Sequence, residues 1–262
     1  MKTLVVNADD FGFTRDVNEG IVHAHRSGIL TATTLMATGE AFEHAVELAR
    51  ETPSLDIGCH LVLVGSPGFP SSVPQLVRAV ALGRIPIYRE LKRQVTRILE
   101  AGIVPTHLDT HKHTHLLPSV LDAVARISEE FGIRWVRRPF DFPLQADGIP
   151  LTTRLASAAF GVVRGRFTRV LKARHCKTTD HFGGFRLTGR YDAAELSRLI
   201  RQLPEGTTEF MCHPGYCTGE LQSARTRLKE SRQRELEALT SPAVRDALGT
   251  GGVTLASYRQ LS

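Results

Sequence analysis

The chain has 262 residues, enough for one large α/β domain. Hydrophobic residues at 42% against 23% charged exclude a disordered chain, and no apolar run reaches the roughly eighteen residues of a membrane span. The formal charge of +6 favours anionic partners in general. The cations are scattered, however, with a mild excess in Arg134 to Arg138 and Arg164 to Arg174, and no basic stripe interleaved with aromatics marks a nucleic-acid site.

In chain order, Leu4-Val5-Val6 reads as a strand buried on both faces. This run is too short for a signal peptide, so the expected location is cytoplasmic. A helix from Arg15 carries Val17, Ile21 and Ala24 on one face and stops at Gly28. Leu30 to Met36 predicts a second strand. Phe42, Ala45, Val46 and Ala49 have helical spacing, and Leu55 to Val64 is again strand-like. The stretch from Gly65 to Gly83 reads as an irregular insertion. Leu91, Val95, Ile98 and Leu99 mark a helix, and a strand begins near Pro105. Pro118 suits the first turn of a helix carrying Leu121, Val124 and Ile127.

Ile133 to Val136 predicts a further strand, after which the pattern weakens between Phe140 and Lys177. It recovers with a helix over Ala193 to Leu203, a strand over Thr208 to Cys212 and a helix over Ala224 to Leu239. A short helix follows Pro242, and a last strand spans Val253 to Ala256. Such βα repetition across residues 1–262, without a linker or internal repeat, predicts one α/β domain with a parallel sheet. The count of units favours a (β/α) barrel over an open sheet, and no Gly-rich nucleotide loop follows the first strand. The four cysteines, Cys59, Cys176, Cys212 and Cys217, lack CxxC spacing and read as buried thiols.

In such folds the chemistry gathers where strands end. The first strand ends in Asn7-Ala8-Asp9-Asp10-Phe11-Gly12, two adjacent carboxylates that each need a partner. His60 sits within the third apolar run. Thr106 to His115 holds His107, Asp109, His111, His113 and His115. In an extended strand all five would share a face, with His111 and His115 about 13 Å apart. They cannot all bind one ion there: either the chain turns near His111 or only one or two are ligands, and Pro118, which opens the next helix, favours a turn. His213 follows the strand ending at Cys212, and Asp180 with Gly183-Gly184 forms a weaker candidate.

Asp, His and His on three strands, with an Asp and a His to spare, are donors for a divalent metal with positions left for water and substrate. A bound cation polarises a carbonyl and lowers the pKa of its water. The spare Asp and His can then move protons. This is machinery for hydrolysis without a covalent intermediate, and no GxSxG elbow is present. A metal-dependent phosphoesterase or amidohydrolase, and a sugar-binding protein without turnover, are the competing readings.

These motifs, together with Gly58-Cys59-His60 and Met211-Cys212-His213-Pro214-Gly215-Tyr216, resemble the YdjC-like carbohydrate deacetylases over nearly the whole chain. The resemblance is densest in residues 1–64 and 105–120. It implies a single distorted (β/α) barrel, TIM-like and similar to polysaccharide deacetylases, with one divalent metal ion, magnesium or zinc. By position, Asp10, His60 and His111 look like the metal ligands, Asp9 like the general base and His213 like the general acid; the two Asp roles could be exchanged. His113, His115, Arg138 and Asp180 are implied as substrate-binding groups, with Arg137 beside them, and Asp109 as the group that orients a ligand histidine. The expected substrate is an N-acetylated amino sugar. The segment Gly28 to Arg50, with His60 to Val64, looks closer to the hopanoid-associated branch than to the chitooligosaccharide branch. That implies an N-acetylglucosaminyl lipid, peripheral contact with membrane lipid and no nucleic acid; a homodimer is compatible with the sequence.

Overall fold

The computed structural model describes residues 1–143 and 148–261. Seven parallel strands form the sheet: β1 (Lys2–Phe11), β2 (Ala32–Leu35), β3 (Asp56–Leu61), β4 (His107–Thr110), β5 (Trp135–Val136), β6 (His181–Gly183) and β7 (Gly206–Cys212). Their order is β5-β4-β3-β2-β1-β7-β6. Two isolated parallel bridges, Trp135 to Lys177 and Asp141 to Phe182, join the two ends of this row. The sheet thereby curls into a distorted TIM-like barrel. An eighth strand, β8 (Val253–Leu255), pairs with Lys2 to Leu4, along the part of β1 that β2 does not reach.

Helices cover the outside: α1 (Arg15–Ser27), α2 (Phe42–Glu51), α3 (Val73–Ala81), α4 (Ile87–Glu100), α5 (Pro118–Phe131), α6 (Leu151–Ala173), α7 (Ala193–Gln202), α8 (Gly219–Ser223), α9 (Glu230–Thr240) and α10 (Pro242–Thr250). Local signals set several of their ends. The Thr14 hydroxyl accepts from the Val17 amide at 3.2 Å and caps α1. Pro118 opens α5, where its missing N–H costs nothing.

Three expectations need correction. The Gly65–Gly83 stretch is not irregular throughout, because α3 occupies Val73–Ala81. Pro74 stands in its first turn, where proline is tolerated. The helix expected over Ala224 to Leu239 starts late: Ala224 is extended (ψ 149°), closing the short α8, and α9 starts only at Glu230. The weakly patterned 140–177 region holds the 23-residue α6, whose sequence lacks a continuous buried stripe.

Strand alternation separates two interiors. Leu4, Val6, Leu108, Phe210 and Cys212 point outward into the apolar layer beneath the helices. Their neighbours point into the bore. At its base Val5, Ala32 and Tyr258 pack together, with Trp135 and Leu261 against them. Above that plug the bore is polar: Asn7, His107, Asp109, Arg137 and Glu209 are all buried. A parallel barrel normally fills this space with branched apolar side chains, so the polar layer marks where function resides.

Helix α1 is seated against the loop that follows β7. A Cβ added at Gly20 would lie 2.5 Å from the Gly215 Cα. In an exposed helix Gly→Ala would stabilise by about 1 kcal/mol; here overpacking against backbone reverses the sign. Gly20→Ala is expected to destabilise by about 1–3 kcal/mol in urea unfolding. A gain in stability would contradict this packing.

Candidate active site

In a regular strand Asp9 and Asp10 would point to opposite faces. Ala8 pairs with Thr33 and Phe11 with Leu35, so β1 carries one residue more than β2 over this interval. Asp10 takes the left-handed region at φ 73°. This bulge turns both carboxylates toward the barrel mouth. Asn18 on α1 fixes the turn: its Oδ1 accepts from the Gly12 amide at 2.6 Å and its Nδ2 donates to the Ala41 carbonyl at 3.0 Å.

Asp10, His60 and His111 meet at this mouth. Asp10 Oδ1 lies 3.3 Å from His60 Nε2 and 3.2 Å from His111 Nδ1. The two ring nitrogens are 3.2 Å apart. Three donor atoms on three chain segments thus form one small triangle. Asp10 Oδ1 is buried and makes no hydrogen bond of acceptable geometry. Its other oxygen takes a short contact from Arg232 Nη2, delivered by α9. Burial alone would raise the Asp10 carboxyl, but Arg232 and the two imidazoles hold it well below the usual range.

His60 is oriented from behind. Its Nδ1 lies 2.7 Å from Asp109 Oδ1, and the Thr34 hydroxyl donates to Asp109 Oδ2 at 3.2 Å. This leaves Nε2 aimed at the triangle, the arrangement expected of a metal-binding histidine. Burial opposes a charge on His60, yet Asp109 and Asp10 push its pKa up to about 10.

Arg137 sits in the bore among three carboxylates. Its Nη1 and Nη2 grip Asp9 at 2.8 and 2.7 Å, Nη1 also reaches Asp109 at 2.6 Å, and Nε donates to Glu209 at 2.7 Å. Burial raises the carboxyls of Asp9 and Glu209 even so. For Asp109, Arg137 and His60 overcome burial and lower it. Among the described residues, Asp9, Asp10, Asp109 and Glu209 thus face two guanidinium groups, Arg137 and Arg232, and the His60 and His111 imidazoles. With His60 deprotonated, as a metal ligand must be, four buried acids against two guanidinium groups leave a shortfall that one divalent cation would fill. The orphaned oxygen, the N, N, O donor set and this shortfall all fit such an ion.

His213, beyond β7, completes the mouth. Its Nε2 is 3.9 Å from Asp9 Oδ2, and its buried Nδ1 has no partner. Its amide donates to Glu235 Oε2 at 2.6 Å, and Tyr191 donates to the same oxygen at 3.0 Å. Burial pushes the His213 imidazole down to about 3, so it rests neutral.

The turn expected near His111 exists as a 3-10 segment, His111–Leu116, with Lys112 and His113 left-handed. It sends four histidines four ways. His107 points into the bore, where Nε2 meets Asn7 Oδ1 at 2.9 Å and the ring stacks on Tyr258. His111 reaches the triangle. His113 enters an aromatic pocket of Phe160, Phe182 and Phe185, its Nδ1 unpartnered.

His115, expected at the substrate, is instead fully buried. Its Nδ1 meets the Thr110 hydroxyl at 2.6 Å and its Nε2 the Arg137 carbonyl at 3.0 Å, so it supports Arg137 from behind. Arg138 and Asp180 also need relocating. Arg138 donates to the Asp180 carbonyl, and Asp180 Oδ2 accepts from the Thr207 amide at 2.8 Å. Thr207 pairs with Thr3, about 20 Å of strand below Asp9. Asp180 ties the barrel seam at the end away from the mouth, and Arg138, next to Arg137, sends its side chain to that seam.

Glu209 and Arg232 are not among the residues expected from the sequence, and Arg137, expected as a substrate contact, instead holds Asp9, Asp109 and Glu209. Glu209 is signalled as an acid inside an apolar strand, and Arg137 as a cation directly after one; nothing local marks Arg232.

Fold and site define a parallel barrel with a two-histidine, one-carboxylate cluster at the C-terminal strand ends and a buried Asp–Arg pair beside it. The family description YdjC-like protein matches residues 3–250, and the chain belongs to this family. A protein of Brevibacillus brevis named carbohydrate deacetylase is 32% identical over 270 residues, covering 98% of this chain and 99% of that protein. The chitooligosaccharide deacetylase of Salmonella paratyphi C is 34% identical over 279 residues, covering 98% of each. Among solved structures, an Enterococcus faecalis V583 protein named for cellobiose-phosphate cleavage superposes with TM-score 0.78 at 27% identity, over 100% of this chain and 99% of that one.

Arg137→Met would leave three buried carboxylates without their shared cation. The expected loss is about 3–5 kcal/mol in chemical denaturation, as for breaking a buried ion pair. Unchanged stability would show that the carboxylates find other partners.

Proposed function

We propose that the protein is a metal-dependent carbohydrate deacetylase that hydrolyses the acetamide of an N-acetylated amino sugar. The observation that carries this reading is the buried, unpartnered Asp10 Oδ1 within 3.3 Å of two imidazole nitrogens. Names carried by relatives at 32 and 34% identity support the substrate class. Asp10, His60 and His111 would hold the ion. Two nitrogen donors suit zinc and its transition-metal neighbours better than magnesium, which prefers an all-oxygen shell.

When bound, the ion supplies Lewis acidity toward the acetamide oxygen and lowers the pKa of a water. Asp9 accepts the proton of the attacking water. Its bidentate grip by Arg137 fixes where its oxygens lie, and its raised affinity for protons suits a base. His213 donates to the leaving amine. Being neutral at rest, it must first gain a proton, and Asp9 Oδ2 at 3.9 Å is the neighbour that has just captured one. Glu235 holds the His213 backbone in place through this transfer. Water's hydroxyl ends on acetate, and its proton ends on the sugar amine.

For the finer substrate, an N-acetylglucosaminyl lipid such as a hopanoid glycoside and a short chitooligosaccharide share the same reacting amide. Comparing acetate release from the two separates them. The purified protein with added zinc is expected to release acetate from at least one, and a chelator should abolish the release. Asp9→Asn and His213→Ala should each lower kcat by about 100-fold or more while metal content stays unchanged. Zinc retained with no acetate from any N-acetylated sugar would contradict the deacetylase reading. Equal activity of the variants would remove Asp9 and His213 from their roles.

A further inference from the structure

Helix α6 has a composition unlike the rest of the surface. Its 23 residues include Arg154, Arg164, Arg166, Arg169 and Lys172 and no acidic residue. Three of the eight exposed large apolar side chains among the described residues also lie on it: Leu151, Leu155 and Val162, at 70, 60 and 86% exposure. Spacings of four and seven residues place all three on one stripe, with exposed Ala158 between them. The opposite side carries the anchors. Phe167 and Leu171 are buried, and Phe160 packs on Phe185 at 4.8 Å and on His113 at 6.3 Å.

Packing alone does not account for an outward apolar stripe beside so many cations. Among the described residues only Arg166 has a carboxylate partner, Asp122 at 3.0 Å; Arg164 lies over the Phe140 ring. A second copy of this chain is a poor cover. Pairing α6 with itself would gather ten cations and no anion. An anionic bilayer complements both features: apolar side chains enter the acyl boundary while arginines and a lysine meet headgroup phosphates.

We propose that the outer stripe of α6 seats the protein on anionic membrane surfaces. Leu151, Leu155 and Val162 enter the bilayer, and Arg154, Arg169 and Lys172 rest on it. The inner side of the same helix touches His113 through Phe160, so seating would hold the mouth of the barrel close to the lipid. This inference does not rest on the deacetylase reading, because lipid binding is measured without turnover.

The test is sedimentation of the full chain with phosphatidylcholine vesicles, pure or containing about one-third phosphatidylglycerol. Binding is expected only to the anionic vesicles, falling steeply as salt rises from about 0.05 to about 0.5 M. Leu155→Asp with Val162→Asp should weaken it about tenfold or more, and Arg154→Gln with Arg169→Gln should reduce it as well. The Asp variant should keep its melting temperature, since both positions are exposed. No binding to anionic vesicles, or full binding by the Asp variant, would overturn the proposal. So would a wild-type dimer that the Asp variant splits, since the stripe would then be an interface between copies.

Discussion

A shortage of buried positive charge governs this molecule. Four carboxylates line the upper bore and mouth, and once His60 is neutral only two guanidinium groups among the described residues answer them. Removing an ion from water is costly unless a partner meets it at close range. Arg137 meets three of the acids at once, and Arg232 meets Asp10 on one oxygen only. The remaining Asp10 oxygen faces two imidazoles without a good hydrogen bond. The rest of the barrel can be understood as what keeps these groups apart from water and in register: an apolar plug below, a layer of helices around, and loops above.

The backbone contributes as much as the charges. One extra residue in β1, with Asp10 left-handed, converts an alternating strand into a double-carboxylate mouth. Left-handed Lys112 and His113 convert a run of histidines into separate parts. Such conformations cost of order 1–3 kcal/mol each and persist only where the surroundings fix them. Asn18 does so for the first, through Gly12 and Ala41. Thr110 helps with the second, since its hydroxyl accepts from the His115 amide at 3.0 Å.

Much of this is legible in the sequence, for stated reasons. Buried strands announce themselves as short apolar runs, and the polar residues that end them mark the mouth; Asp9, Asp10 and His213 come from this rule, whereas the choice of His60 and His111 as ligands rests on the family resemblance. The limit on how many clustered histidines can meet one ion, with Pro118 close behind, favours a turn, and the turn is there. What sequence pattern cannot supply is the direction of a long side chain. Arg138 and Asp180 sit near the right strands but serve the barrel seam, and His115 faces inward beneath Arg137. Arg232 arrives from an amphipathic helix 222 positions from Asp10, with no local cue. Helix α6 was illegible because its apolar residues lie on both sides, some packed and some not.

The central claim is that the ion sits between Asp10, His60 and His111. Anomalous diffraction from crystals grown with zinc, recorded on both sides of the zinc edge, tests it directly. The account predicts one strong peak within about 2.0–2.2 Å of Asp10 Oδ1, His60 Nε2 and His111 Nδ1, with Asp9 and His213 close by but not ligands. A peak on other residues, such as His113 or Asp9 with Asp109, or no peak while zinc is bound elsewhere, would contradict it.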